Sequence, residues 1–227
     1  MSVNVVTWNL RGRARPDLGK IGELLTGFGA DIVALQEVQR QQARALAAAL
    51  GSVTAEWSFK HWPFPTPAEG LAVLSRHRLL RARATTLSKC VPPWSYRRRI
   101  AQLCTLEVGG RAVRLANCHL ANDDAEARLA QAQRVLTKLG PGSFVAGDLN
   151  ARPGGRVLRL LCDAGLRDAM ADAHPDAPAD RIDYVLVPDG WRVVDAWTPS
   201  AADSGMEAYR RLSDHLPVRA EVQIAAE

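Results

Sequence analysis

The sequence has little of what marks a secreted, membrane-spanning or fibrous chain. Its four cysteines, Cys90, Cys104, Cys118 and Cys162, lie far apart and show no Cys-x-x-Cys spacing. Neither a disulfide framework nor a zinc ribbon is expected, and the thiols read as small buried hydrophobes in a reducing compartment. No apolar run approaches the roughly 20 residues that a membrane span needs, and Met1 leads straight into a strand-like pattern without a basic and apolar leader. The expectation is a cytoplasmic protein with no stable membrane association and no obligate protein partner. Heptads, internal repeats, low-complexity blocks and Ser/Gly/Pro-rich linkers are missing too, so residues 1–227 should form a single domain. Acidic residues are absent between Glu69 and Glu107, where Arg76, Arg78, Arg81, Arg83, Lys89 and Arg97 to Arg99 all fall. Such a segment projects a positive field suited to a phosphate-bearing ligand, although Arg76 to Arg83 read equally well as a solvated basic face. The net charge of +5 is modest for a dedicated DNA binder.

What is present is an ordinary globular composition, 47% hydrophobic and 23% charged. Residues 3–10 and 31–38 are β-rich apolar runs; between them Leu18, Ile21, Leu24, Leu25 and Phe28 recur at helical spacing until Gly29. Residues 38–50 predict a helix closed by Gly51. Strands are predicted over 71–75, 100–108 and 112–119, the last two joined by Gly109-Gly110. A helix over 123–139, a strand over 143–148 and a helix over 155–164 follow, then strands over 181–187, 191–197 and 216–224. Hairpins and helical crossovers in one chain fit a purely parallel sheet poorly. They point to an α/β fold of two packed mixed β-sheets flanked by helices. Residues 57–67, with four aromatics among three prolines, read as a rigid loop: a satellite hydrophobic cluster in preference to a wall of the substrate cleft.

The informative pattern is a polar residue at the end of one apolar run after another: Asn9, Glu37, His119, Asp148 with Asn150, Asp183, and Asp214-His215. Carboxylates, carboxamides and imidazoles at successive strand ends describe a sheet edge that carries a metal site and acid–base groups. Hydrolysis of a phosphate ester needs its charge neutralised, a water activated and a leaving oxygen stabilised, and hard oxygen ligands on Mg²⁺ or Mn²⁺ supply much of that. Glu37 and Asp214 are the best anionic ligands, and Asn9 adds a neutral oxygen. An irregular segment before Pro217 lets His215 face the scissile phosphate, with Asp183 accepting its other ring proton. By the same logic Glu69 supports His119. Asp148 and Asn150 flank a buried Leu149 and should share one face of an extended segment, where they align the attacking water. Arg97 and Arg99, beside Trp94 and Tyr96, form the patch best suited to nucleic acid, with Arg99 assigned to the substrate phosphate.

Taken together, Thr7-Trp8-Asn9-Leu10, Gln36-Glu37-Val38, Cys118-His119-Leu120, Gly147-Asp148-Leu149-Asn150, Arg181-Ile182-Asp183-Tyr184 and Ser213-Asp214-His215-Leu216-Pro217 resemble the endonuclease/exonuclease/phosphatase superfamily. That superfamily takes in pancreatic-type deoxyribonucleases, apurinic-site endonucleases, inositol polyphosphate 5-phosphatases and neutral sphingomyelinases. The resemblance implies a four-layer α/β sandwich with a divalent-metal site at one end of its two central sheets. It places Asn9, Glu37 and Asp214 at the metal, Asp148 and Asn150 by the attacking water, and His119 and His215 on phosphate oxygens, with Asp183 orienting His215. Glu69 sits where the deoxyribonuclease-like members support the first His. The interval from Asn150 to Asp183 is short and lacks Trp, unlike the apurinic-site enzymes. The expected function is that of a metal-dependent phosphodiesterase or nuclease. A phosphomonoesterase, a lipid or inositol phosphate hydrolase, and a silent phospholigand-binding relative are the alternatives. Either Asp148 or His215 with Asp183 serves as the base.

Overall fold

The computed structural model describes residues 2–89, 91–200 and 205–225. The chain opens with β1 (Ser2–Asn9), a 3-10 turn (Gly12–Ala14), α1 (Leu18–Gly27), β2 (Ile32–Gln39), α2 (Arg40–Ala49), β3 (Thr54–His61) and β4 (Glu69–Ser75). It continues with β5 (Arg78–Thr86), β6 (Ile100–Val108), β7 (Arg111–His119), α3 (Ala125–Leu136), β8 (Ser143–Asp148) and α4 (Arg156–Asp163). The last elements are β9 (Leu166–Asp168), α5 (Ala169–Ala173), β10 (Asp183–Pro188), β11 (Trp191–Trp197), α6 (Met206–Leu212) and β12 (Val218–Ile224). Helix starts follow capping chemistry: Asp17 accepts from the Lys20 amide and Asp124 from the Ala127 amide, each quenching an orphan donor of the first turn. No helix among the described residues is long and apolar enough to cross a membrane.

The strands form two six-stranded mixed sheets, in the orders β11-β12-β1-β2-β4-β3 and β5-β6-β7-β8-β10-β9. Four layers follow from strand periodicity, because alternate side chains leave a strand on opposite faces and here both faces are apolar. In β1, Val3 and Val5 enter the core between the sheets while Val6 and Trp8 pack with Ile21, Leu25 and Leu46 of α1 and α2. In the second sheet, Phe144 and Ala146 of β8 and Val185 and Val187 of β10 face the same central core. Val145, Tyr184 and Leu186 pack outward against Ala132, Val135, Val157 and Leu158 of α3 and α4. Gly147 is where β8 presses on β7: at φ 141° a Cβ there would stand 1.9 Å from the Cys118 carbonyl oxygen.

Three features differ from the sequence reading. Residues 57–61, expected in a loop, belong to β3, which pairs antiparallel with β4; Trp62 and Phe64 beyond it are exposed rather than clustered. Residues 78–86 form β5, an edge strand whose outer side chains are charged, with Arg78 paired to Glu107 at 2.8 Å. Charge on an edge strand opposes sheet-to-sheet aggregation, which accounts for this part of the basic segment. Of the thiols, Cys104 and Cys118 are buried and free as expected, but Cys162, at the outer face of α4, is exposed; Cys90 lies outside the described residues.

Candidate functional site

The central core changes chemistry toward one end of the sheets. The stripe that begins Val3-Val5 continues with Thr7 and Asn9; Val113-Leu115 continues with Asn117 and His119; Phe144-Ala146 continues with Asp148; Val187-Val185 runs back to Asp183. Period-two alternation thus delivers four polar side chains to one end of the space between the sheets, and antiparallel pairing of β8 with β10 puts Asp183 directly across from Asp148. A buried amide network stands just behind them. Gln36 Nε2 donates to Thr7 Oγ1 (3.0 Å) and Asn117 Oδ1 (2.8 Å), and Asn117 Nδ2 donates to the carbonyls of Leu35 and Ala72 (both 3.0 Å). These bonds tie the first sheet to β7 and fix the separation of the strand ends that carry Glu37 and His119.

Asp148 is the hub. Its Oδ2 accepts from Asn9 Nδ2 (3.1 Å) and lies 3.4 Å from His119 Nε2 and 3.7 Å from His215 Nε2; its Oδ1 accepts from the Asn150 amide (3.0 Å). His215 Nδ1 meets Asp183 Oδ2 at 2.8 Å, so the carboxylate fixes the tautomer and leaves Nε2 facing Asp148. The loop that carries His215 is held from three directions. Ser213 Oγ donates to the Asn9 carbonyl and accepts from the His215 amide, and Trp8 Nε1 donates to the His215 carbonyl at 2.9 Å. Glu37 follows a break in the β2–β4 register and holds φ 48°. A non-glycine residue in the left-handed region is strained, and here the strain turns the carboxylate to within 3.9 Å of His119 Nδ1.

Burial sorts the titratable groups. Burial and the facing Asp183 carboxylate together raise Asp148 to about 7, against His215 and the bonds from Asn9 and Asn150. Asp183 is raised as well, chiefly by burial, against the pull of its bond to His215. Burial opposes charge on His215, but the hydrogen bond to Asp183 and the charges of Asp183, Asp148 and Asp214 outweigh it and lift the imidazole to about 9. His119 goes the other way: burial, Lys60 and Arg99 push it well below its ordinary value. The two imidazoles of the site therefore differ near neutrality, one cationic and one neutral.

Beside this site His61, at the end of β3, is lowered to about 3 by burial and by Lys60, Arg99 and Arg13. A depressed imidazole contributes stability above its unfolded pKa of about 6.5 and loses it as pH falls, because the unfolded chain takes the proton that the folded chain refuses. Acid acts in the opposite sense at Asp148, so the effect is best read as a difference. The stability gap between the wild type and His61→Gln, from urea unfolding at pH 7.5 and pH 5, should change by about 2 kcal/mol against the wild type at the lower pH. A gap independent of pH would show that His61 is not held neutral.

Several sequence expectations need correction. Glu69 does not support His119: its Oε1 accepts from the Arg13 amide (2.9 Å), its Oε2 faces His61 Nε2 (3.8 Å), and His119 Nδ1 is buried with no hydrogen-bond partner among the described residues. The bulge in β3 at Phe59–His61 brings His61 across from Glu69, and no local pattern announces it. Arg99 is buried ahead of β6 and held in the fold: three of its five N–H groups donate to the carbonyls of Leu120 (3.1 Å) and Tyr96 (3.0 Å) and to Asn122 Oδ1 (3.3 Å), so it braces the loops on either side. Asn150 does not extend the β8 stripe; at φ 49° the chain has turned, and its Nδ2 donates to the Leu120 carbonyl. Asp214 turns outward to Arg11 at 3.0 Å, away from its neighbour His215. Asn9 Oδ1 accepts from the Arg11 amide, which keeps Asn9 and Asp214 at the same corner.

Two donor sets suit a divalent ion. Asn9 and Asp214 offer hard oxygens around that corner and Glu37 a third beside His119, and Glu37 makes no hydrogen bond with any described residue that would have to be broken. Asp148, Asp183 and His215 bring ligand atoms within 4.8 Å of one another, with Asp183 Oδ1 buried and unpartnered.

A model of the Endonuclease/Exonuclease/phosphatase family matches residues 6–215. The chain belongs to that family. Members of the endonuclease/exonuclease/phosphatase family are hydrolases of phosphate esters and typically depend on a divalent metal. Among solved structures, the endonuclease/exonuclease/phosphatase from Beutenbergia cavernae DSM 12333 superposes with TM-score 0.81 at 22% identity, over 99% of this chain and 72% of that one. The human Nocturnin catalytic domain with bound sulfate gives 0.78 at 19%, over 99% and 94%. A mannosyl-6-phosphatase from Bacteroides thetaiotaomicron VPI-5482 gives 0.73 at 19%, over 98% and 100%. At these identities the likeness is one of fold. None of the curated proteins compared matches the sequence.

Proposed function

We propose that this chain is a divalent-metal-dependent phosphodiesterase with nuclease-like chemistry. The observation that carries the reading is the His215–Asp183 pair at 2.8 Å with its free Nε2 turned toward the hub carboxylate of Asp148. Glu37, Asn9 and Asp214 would hold Mg²⁺ or Mn²⁺ in this reading, because His215 Nδ1 and Asp183 Oδ2 are engaged with each other and His215 Nε2 is left for the substrate. The ion, when bound, offsets charge that builds on the phosphoryl and leaving oxygens.

Asp148 acts as the general base. It takes a proton from a water as the oxygen of that water bonds to phosphorus, and the opposite P–O bond breaks, its electron pair leaving with the departing oxygen, which is protonated from solvent. His215, an imidazolium on Asp183, donates from Nε2 to a phosphoryl oxygen. Neutral His119 presents its Nε2 to the same space, and Asn9 and the Asn150 amide keep Asp148 in position.

A diester is favoured over a monoester by the loops that follow β3 and precede β6. Trp62, Phe64, Trp94 and Tyr96 are exposed on them, with Arg97 over the Tyr96 ring and Arg98 over Phe59, each at 5.6 Å. Aromatic faces and guanidinium groups suit the groups on both sides of a phosphodiester, those of a nucleic acid among them. The test is release of nitrophenol from bis(p-nitrophenyl) phosphate and from p-nitrophenyl phosphate with Mg²⁺ or Mn²⁺. Faster cleavage of the diester, abolished by EDTA, is expected. Indifference to EDTA rejects the metal, preference for the monoester moves the reading to a phosphatase, and no cleavage with either cation marks a silent relative.

A further inference from the structure

We infer that Lys60 is the cation that receives the substrate phosphate, the part that the sequence assigned to Arg99. The inference rests on the phosphoesterase reading above, and its evidence is a buried charge without a partner. Lys60 is 2% exposed; its ammonium is not wholly sealed from solvent, and it makes no ion pair and no hydrogen bond with any described residue. A buried ammonium is costly unless an anion accompanies it. The anionic side chains nearby are otherwise occupied or too far to pair: Glu69 serves the Arg13 amide and faces His61, Asp148 serves Asn9 and Asn150, and Glu37 faces His119.

The backbone puts Lys60 in this position by a built device. Phe59 pairs with Gly70 and His61 with Glu69, so Lys60 is the extra residue of a β-bulge, the irregularity that re-aims a side chain at the end of a strand. Arg98 clamps the bulge, donating to the carbonyls of Phe59 (2.8 Å) and Lys60 (2.7 Å). Across from it, a Cβ on Gly70 would lie 2.1 Å from the Ser58 carbonyl oxygen, so the close approach of β3 to β4 needs glycine there. The charges that act on the ammonium are those of the site itself: Arg99, Glu37, Glu69 and Asp148. Burial and Arg99 lower its pKa to about 7. An arriving phosphate restores the full charge and supplies the pairing that no described residue of the protein gives.

Lys60→Met, which keeps the stem and removes the charge, separates a ligand-binding lysine from a structural one. The protein, kept in EDTA so that no bound cation contributes, is melted with inorganic phosphate and with sodium chloride of equal ionic strength. The wild type should be stabilised by phosphate. K60M should melt at or above the wild-type temperature in chloride and lose the phosphate-dependent rise, and Lys60→Arg should keep part of it. With metal restored, K60M should lose roughly 10- to 100-fold in kcat/KM on bis(p-nitrophenyl) phosphate, the scale of one charge-assisted hydrogen bond. Wild-type phosphate stabilisation and kcat/KM in K60M would overturn the inference, and so would a K60M that fails to fold, since the buried charge would then be part of the fold. A wild type that cleaves no ester, yet binds phosphate through Lys60, would defeat the enzymatic reading and leave the anion site standing.

Discussion

Asp148→Asn should lower kcat about 10³-fold, the central loss for a general base, and it should do so without lowering the melting temperature. The two halves of this expectation have one cause. Asp148 is buried, and β-pairing sets it directly across from Asp183, so both carboxylates are driven toward protonation. An amide fills the same volume and keeps the Oδ1 acceptor for the Asn150 amide; it gives up the acceptor that Asn9 Nδ2 uses, and it cannot take a proton from water. It also relieves the facing carboxylates of one charge, which favours the folded state. The loss should fall on kcat rather than KM, because Asp148 acts on the attacking water and not on the phosphate. Steady-state kinetics on bis(p-nitrophenyl) phosphate, with thermal unfolding in parallel, check both parts. Retention of more than about a tenth of the wild-type kcat would remove Asp148 from the role of base. A collapse in melting temperature would show that the hub carboxylate holds the strand ends together.

Which features the sequence displayed, and which it hid, follows the physics of strand ends. Asn9, His119 and Asp148 were legible because each closes, and Asp183 because it opens, a run whose period-two apolar pattern already assigns it to the central core. The two-sheet architecture was legible for the same reason: strands buried on both faces read as continuous apolar runs. Asn150 was misplaced because the chain turns there at φ 49°, and His61 and Lys60 were missed because they belong to the bulge of β3; counting by twos fails at each. Arg99 was misread for a different reason. Its residue type suits a phosphate, but the carbonyls of Leu120 and Tyr96 and the side chain of Asn122 claim its donors first, and such long-range partners leave no local mark. Strand β5 was missed because its alternating Arg and Leu or Ala residues belong to an edge strand with mostly exposed side chains, where the apolar signal is weakest.

Asp183→Asn tests the proposed function through charge rather than through proton abstraction. The carboxamide that replaces the carboxylate can still accept from His215 Nδ1 through its oxygen, so the ring orientation survives, but the charge that holds the imidazolium is gone. In the wild type the bond to Asp183 and the nearby carboxylates overcome burial and keep His215 protonated up to about pH 9. The sign in the variant is therefore fixed: with the largest opposing influence removed, burial prevails and the titration must move down toward or below the ordinary value of about 6.5. The NMR titration of the His215 ring in metal-free protein reads this directly, as a midpoint several units lower than in the wild type. Activity should fall roughly 10²- to 10⁴-fold near neutrality, the range for a histidine that loses its orienting carboxylate. Lowering the pH restores the imidazolium but also protonates Asp148, which burial holds near 7, so the activity should stay low on both sides of neutrality. The displaced His215 titration, not a recovery of rate, distinguishes this substitution from Asp148→Asn. If Asp183→Asn leaves the His215 titration unmoved, the 2.8 Å contact does not set the charge of the imidazole, and the cation assigned to the phosphoryl oxygen must be sought elsewhere.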